Sequence, residues 1–386
     1  MIQTAERLGN VKEYYFSKKL REIAALKAQG KNILNLGIGS PDQMPDETVI
    51  AKLNEAAANP KNHGYQSYKG IPELRIAFSG WYKKHFNVAL DPETEILPLI
   101  GSKEGIFHIA MTYLNDGDQV LVPNPGYPTY AAASKLAGAQ LTYYDLNAES
   151  NWLPDLDKLN AQDLSRVKIM WVNYPNMPTG KKADSAFFEE LIAFAAQNNI
   201  LLCNDNPYAF ILNNEPCSLL ASGVHEHVIE LNSLSKSHNM AGWRIGMLGA
   251  CKEHVDNVLR FKSNLDSGMF LPTQLAGAQA LGLSDAWYEN LNSEYRRRRL
   301  LAADLLKLLG CEYDDNQVGL FIWAKVPTQV TNVEEWMDEI LYGAEIFITP
   351  GFVFGSNGAR YIRISLCSTQ EDFELAISRV SKFLAA

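Results

Sequence analysis

Val228-Ile229-Glu230-Leu231 runs directly into Asn232-Ser233-Leu234-Ser235-Lys236-Ser237-His238, and Ala241-Gly242-Trp243-Arg244-Ile245-Gly246 follows. The short apolar run reads as a strand, and a polar loop opens at its end. A lysine flanked by hydroxyls, with an arginine eight residues on, suits a covalent aldehyde cofactor that also carries a phosphate. The Lys236 amine can form a Schiff base, and Ser233, Ser235 and Arg244 can hold a phosphate dianion. Taken alone, Ser-x-x-Lys reads better as one surface lysine in a solvated Ser/Asn loop.

Outward from this stretch, short apolar runs alternate with helical patterns. Gln119-Val120-Leu121-Val122, Val167 to Val172 and Ile200-Leu201-Leu202-Cys203 read as strands. Between the last two, a helix from about Asp184 to Gln197 carries Phe187, Phe188, Leu191, Ile192 and Ala195 on one face. This alternation is that of stacked βαβ units, so the fold class is α/β with a mainly parallel sheet. Past about Ser284 the pattern changes. A long helix is followed by the short strands Gly319–Trp323 and Tyr361–Ser365, and by a final helix near Gln370–Leu384. The expected division is an N-terminal helical segment (1–35), a large domain (36–283) and a smaller α+β domain (284–386) on which the N-terminal segment packs. That segment carries a helix from about Tyr14 to Gln29, with Gly30 as its C-cap, and a strand over Ile33–Gly39 that enters a loop.

Ligands of open α/β sheets bind outside the carboxyl ends of the strands. Three strand ends here carry polar residues: Asn173-Tyr174-Pro175-Asn176-Met177-Pro178-Thr179-Gly180, Asn204-Asp205-Asn206-Pro207-Tyr208, and Asn232 to Lys236. If those strands are neighbours, Asn176, Asp205, Tyr208 and Lys236 share one crevice. Turn chemistry accounts for any one of these segments. It accounts poorly for three in succession.

Asn-x-Pro-Thr-Gly at 176–180, Asp205-x-x-Tyr208 about thirty residues before Lys236, and Arg244 beyond it together resemble the class I/II aminotransferases. These are pyridoxal 5′-phosphate enzymes of fold type I, built on a seven-stranded, mainly parallel sheet flanked by helices. The resemblance runs from about Leu36 to Ser365. It implies that Lys236 is the Schiff-base lysine and proton shuttle, and that Asp205 pairs with the ring nitrogen. A carboxylate beside a pyridinium stabilises it, as any opposite charge does. Asn176 and Tyr208 would serve the ring hydroxyl, with Asn176 also near the substrate. Met177 stands where many relatives carry another small or apolar residue, which leaves the resemblance intact. The turn Gly101-Ser102-Lys103-Glu104-Gly105 would give backbone N–H groups of Ser102, Lys103 and Glu104 to the phosphate, with the Glu104 side chain turned away. Tyr127 would stack on the ring. Tyr65 would reach the phosphate of a partner subunit, which implies a homodimer with composite sites. Arg363, a charge in an apolar strand, would bind the substrate α-carboxylate, and the backbone at Gly37 would close over the substrate. The 101–105 turn and Asp266-Ser267-Gly268-Met269-Phe270 look closest to prokaryotic aspartate-like and diaminopimelate-type members.

The implied reaction is ping-pong transfer of an amino group between an amino acid and a 2-oxo acid. Another reaction of the same cofactor, C–S β-elimination or decarboxylation, is the alternative. A non-catalytic regulator would need a DNA-binding domain, for which the residues before the first site loop leave no room. A net charge of -9 argues against nucleic acid as the main partner. Arg296-Arg297-Arg298-Arg299 lies in a helical context and reads as a solvated or ion-paired face. Five scattered cysteines form no Cys-x-x-Cys pair, so neither disulfides nor a metal site is expected, and Cys203 reads as a buried hydrophobe. No apolar run approaches the ~20 residues of a membrane span, and no signal peptide is evident. The expected compartment is the cytoplasm.

Overall fold

The computed structural model describes residues 2–385 apart from 10, 12 and 14. Its centre is a seven-stranded sheet. In spatial order the strands are Ile96–Leu99, Gly246–Ala250, Val228–Ser233, Leu201–Asp205, Val167–Val172, Gln119–Asn124 and Gln140–Asp145. Gly246–Ala250 runs antiparallel to both its neighbours, and the other six strands share one direction. The α/β class and the mainly parallel sheet are therefore as the sequence implied.

Both faces of this sheet are buried, which explains why its strands read as near-continuous apolar runs. Side chains alternate across a strand. Leu202, Val228 and Met247 feed one core, while Cys203, Ile229 and Leu248 feed the other. Glu230 points into the first of these and is fully buried. It is tolerated because Ser218 Oγ (2.6 Å), the Leu219 N–H (2.8 Å), Asn204 Nδ2 (3.0 Å) and the Tyr82 hydroxyl (3.0 Å) all donate to it.

Flanking helices follow the signals written for them. Asp184 accepts from Phe187 N at 2.9 Å and caps Ser185–Gln197, which buries Phe187, Phe188, Leu191, Phe194 and Ala195. A four-stranded antiparallel sheet forms elsewhere, with Phe321–Lys325 and Tyr361–Ser365 at its centre. The first of these strands starts two residues later than the sequence suggests, because Gly319 has φ +89° and turns the chain. The long helix Asp285–Leu308 and the last helix Gln370–Leu384 pack on each other beside this sheet. Thr369 and Asp372 close a capping box at the start of the last helix.

Phe16, Ile23, Ile33, Leu34 and Leu36 join the core of this second sheet. The N-terminal helix spans Tyr15–Ala28, with Gly30 at φ +89° just past its end; Tyr14, the expected first residue, lies outside the described residues. The strand expected over Ile33–Gly39 is shorter than written. Only Leu34–Asn35 pairs, with Ile346–Phe347. Asn35 Oδ1 then accepts from the Gly37 (3.1 Å) and Ile38 (3.2 Å) N–H groups and bends the chain into a loop. Among the described residues, no helix is long and apolar enough to cross a membrane.

Candidate active site

The strands Val167–Val172, Leu201–Asp205 and Val228–Ser233 are adjacent, so their carboxyl ends open side by side. A cavity of about 730 Å³ lies there. Ser102, Lys103, Tyr127, Asp205, Tyr208, Ser233, Ser235, Lys236, Arg244 and Arg363 all line it.

Ser233 caps the single helical turn Leu234–Ser237, which presents Lys236 to the cavity. Lys236 Nζ donates to the Gly39 carbonyl at 2.6 Å. Burial lowers its pKa from the ordinary lysine value. Behind the turn, Trp287 Nε1 donates to the Ser237 carbonyl at 2.8 Å. Trp81 Nε1 donates to the Tyr288 hydroxyl (2.8 Å), whose own hydrogen is then free for His238 Nε2 (3.1 Å). On the other side of the ring, His238 Nδ1 faces Ser237 Oγ at 2.9 Å. Burial drives the His238 pKa down to about 3, so the ring is neutral.

Asp205 is buried, and Tyr130 donates to its Oδ2 at 3.0 Å. Its Oδ1 has no hydrogen-bond partner among the described residues. Burial pushes the carboxyl up to about 6, against the pull of the Tyr130 and Ser102 hydroxyls and of the Lys236 charge. Tyr208 packs edge-on to Phe321, and burial raises its pKa. Tyr127 stands at the start of the helix Pro128–Leu136, with Tyr130 one turn on and stacked on Trp171.

Gly101 precedes the helix Ser102–Tyr113 with φ +79°. A Cβ there would lie 2.3 Å from Arg244 Nη2, so only glycine lets the guanidinium sit beside the helix N-terminus. Arg244 also adopts a left-handed backbone, φ +58°. Burial and the neighbouring Arg244 lower the Lys103 pKa. The Glu104 side chain turns back, with Oε2 accepting from the Ile100 N–H and Oε1 3.0 Å from His108 Nε2. Glu104, His108 and Asp266 cluster closely enough to suggest a cation site. Lys262, fully buried, already places its ammonium on both Asp266 oxygens at 2.7 and 2.6 Å.

Across the cavity Arg363 is buried, with Nη2 donating to the Gly37 carbonyl at 2.7 Å and Nη1 3.2 Å from Met177 Sδ. Its guanidinium lies 3.9 Å from the Phe321 ring centroid and 4.5 Å from that of Phe354. Gly37 and Gly39 approach Phe347 and Phe321 so closely that a Cβ would sit 2.4 and 2.2 Å from those rings.

Four expected residues, Gly37, Tyr65, Glu104 and Asn176, are not among those lining the cavity. Asn176 is buried within its own turn, where its Oδ1 accepts from Thr179 Oγ1 at 2.8 Å. Asn173 and Met177 line the cavity. Tyr65 is 93% exposed and lies outside the cavity of its own chain.

The model of the family Aminotransferase class I and II matches residues 31–380. This chain belongs to the class I and II aminotransferases. The LL-diaminopimelate aminotransferase of Dehalococcoides mccartyi strain 195 is 42% identical, over 99% of each chain. That of Halothermothrix orenii is 38% identical over 98% of each. The substrate-bound BacF structure from Bacillus subtilis superposes with a TM-score of 0.94 at 34% identity, covering 99% of this chain and 98% of that one. A Thermus thermophilus aspartate aminotransferase shares the fold, with a TM-score of 0.92 at 24% identity over 99% of this chain and 100% of that one.

The enzyme is a pyridoxal 5′-phosphate-dependent aminotransferase, and its residues fit that cofactor. An unpartnered buried carboxylate oxygen on Asp205 suits a cationic ring nitrogen. The Gly101 cradle suits a phosphate, because helix N–H groups and the Arg244 guanidinium meet where a Cβ would block them. Sequence reasoning missed Tyr130, whose i, i+3 spacing from Tyr127 on a helix was a usable signal. It also missed Phe16, Ser17 and Leu20, which line the cavity from the N-terminal helix; nothing local marks them.

Proposed function

We propose that this aminotransferase takes a diaminopimelate-type amino donor and passes the amino group to a 2-oxo acid in ping-pong fashion, as a cytoplasmic homodimer. The observation that carries the site assignment is the convergence of Lys236, Asp205 and Arg244 on one cavity, with Arg363 in its facing wall. The donor class rests on the names of the full-length relatives. Among the described residues lining the cavity, Arg244 and Arg363 are the only arginines. The division into a large domain (36–283) and a smaller one (284–386) carrying segment 1–35 belongs to the same reading. It is supported by the separate cores and by Phe16 and Ile23 packing in the second.

When bound, pyridoxal 5′-phosphate supplies the electron sink that acidifies the donor Cα–H and carries the amino group between half-reactions. Asp205 supplies the fixed negative charge for the ring nitrogen, and Tyr208 a hydroxyl beside the ring. Tyr127 offers its ring face. Ser102, Ser233, Ser235 and Arg244, with the N–H groups of residues 102–104, hold the phosphate. Arg363 orients the donor through its α-carboxylate, close to the Gly37 loop. Lys236 Nζ removes the Cα proton; its lowered pKa leaves more of the amine neutral and able to act as a base. Phe16, Leu20, Ile38 and Phe354 exclude water from the cavity.

A panel of amino donors, each followed through the cofactor absorbance and then by return with 2-oxoglutarate or pyruvate, tests the donor assignment. LL-diaminopimelate is expected to give the highest kcat/KM. Inertness of LL-diaminopimelate beside rapid turnover of aspartate would overturn it.

Arg363→Ala is expected to raise KM for every amino donor roughly 100-fold, the loss of about two charge-assisted hydrogen bonds, while cofactor stays bound. Cofactor loss with unchanged KM would remove Arg363 from the substrate site. The dimer is supported by Tyr65, an aromatic 93% exposed on a loop packed against Gly268, where a Cβ would meet the Gln66 and Ser67 carbonyls at 2.7 Å. Tyr65→Phe is expected to weaken cofactor retention by roughly tenfold, one hydrogen bond to a charged group. A monomer in sedimentation that is as active as the parent would defeat the composite-site reading.

A further inference from the structure

Of the four consecutive arginines 296–299, one is unlike the rest. Arg296 and Arg297 form surface pairs with Glu289 and Glu294. Arg299 donates to the backbone carbonyls of Asp315 and Gln317. Arg298 is buried on the same helix face as Leu291, Tyr295, Ala302 and Leu305, at spacings of seven, three, four and seven residues. Its fork grips Asp42 with both arms, Nη1 to Oδ1 at 2.7 Å and Nη2 to Oδ2 at 2.9 Å. Nε donates to Glu294 Oε1 at 3.0 Å, and Nη1 also to the Leu366 carbonyl at 3.0 Å.

These contacts join three segments. Asp42 ends the loop that begins at Gly37. Within that loop the Gly37 carbonyl accepts from Arg363 and the Gly39 carbonyl from Lys236. Leu366 lies three residues past Arg363, just beyond its strand. The helix carrying Arg298 supplies the third segment and a second carboxylate, Glu294, which Gln370 holds in turn at 3.1 Å. A buried guanidinium is tolerable only when so fully paired. Two parallel N–H bonds to one carboxylate fix direction as well as distance, which a lysine at the same place cannot do. The two ends of the substrate-facing loop are therefore set independently. Gly37 is fixed by close packing on Phe347 and Thr349, and Asp42 by Arg298.

We propose that Arg298 is a positioning residue for substrate binding: through Asp42 it sets the Gly37–Asp42 loop relative to Arg363. The proposal rests on the reading that Arg363 and this loop receive the amino acid. Neither Arg298 nor Asp42 lines the cavity, so the effect passes through the backbone they hold, the Gly37–Asp42 loop and the segment at Leu366.

The test uses the holoenzyme with Asp42→Asn, Arg298→Lys and the double variant, beside Arg363→Ala. Asp42→Asn and Arg298→Lys are each expected to raise KM for the amino donor roughly tenfold, as lost uniform binding does, with kcat within about twofold. Cofactor absorbance and retention should be unchanged. The double variant should resemble either single one, because the pair acts as a unit. Unchanged KM with a lowered melting temperature would reduce the pair to a structural tie and overturn the proposal, as would additive effects. Should Arg298→Lys fail to fold, Asp42→Asn, at the partly exposed end of the pair, decides alone. If Arg363→Ala also leaves KM unchanged, the site reading itself fails. If Arg363→Ala raises KM and Asp42→Asn does not, only this proposal fails.

Discussion

Lys236→Ala is expected to lose transamination by at least about 10³-fold, within the range that a positioned general base contributes, and to lose the visible absorbance of the lysine-linked cofactor altogether. Two roles disappear with one amine: the covalent anchor and the base at the donor Cα. The fold should survive. Burial already disfavours the charged amine, and its hydrogen bond in the protein is to a single carbonyl, that of Gly39. Far-ultraviolet circular dichroism and a melting curve close to those of the parent would show this. An unaltered visible spectrum in the variant would refute the assignment of Lys236.

Asp205→Asn is expected to lower kcat/KM by roughly 10³-fold at neutral pH. Two opposite unit charges about 4 Å apart interact by about 4 kcal/mol at an effective dielectric constant of about 20, and each 1.36 kcal/mol is about tenfold. Asparagine keeps the shape and forfeits the charge. Without cofactor the same substitution should act in the opposite direction on stability. The folded pKa of Asp205 is about 6, raised by burial from 3.8. A raised acid binds its proton more tightly in the folded chain. Its contribution to stability is full below the unfolded value and is lost as pH rises through about 6. Above that, the ionised carboxylate opposes folding by roughly 3 kcal/mol. Cofactor-free Asp205→Asn should therefore unfold at higher denaturant than the parent at about pH 8, and lose that advantage by about pH 4. Equal midpoints at the higher pH would mean that Asp205 is not held as a strained anion. The cofactor would then relieve no such strain on binding. In the loaded enzyme the advantage should vanish, because the ring nitrogen supplies the missing partner.

Much of the site is legible in the sequence, and it is so where chemistry and local structure coincide. A lysine among hydroxyls at a strand end, a carboxylate three residues before a tyrosine, and glycine before a helix each carry local reasons for being where they are. Asn176 shows the limit. The turn from Asn176 to Gly180 closes on its own amide oxygen. Thr179 takes the Oδ1, while Asn173 and Met177 line the cavity. Which way a side chain in a tight turn points depends on backbone angles that residue identity does not dictate. Phe16 and Leu20 were invisible for another reason. They reach the cavity from a helix more than two hundred residues away in sequence from Lys236, and only packing on the second core brings them there.

Arg298 makes the same point in energetic terms. In sequence it is one of four arginines with nothing to separate it from its neighbours. The helix phase turns it alone toward the core, and burial then obliges it to find two carboxylates and a carbonyl. Residue pattern alone carries the alternation that makes a mainly parallel sheet, and the polar residues at three strand ends that line one cavity. Those follow from periodicity and reactivity, which are local. Folding in three dimensions sets which of those side chains meet, how the Gly37–Asp42 loop is held against Arg363, and that Tyr65 stands outside its own cavity. Those follow from contacts between segments far apart in the chain, whose free energy no stretch of sequence contains on its own.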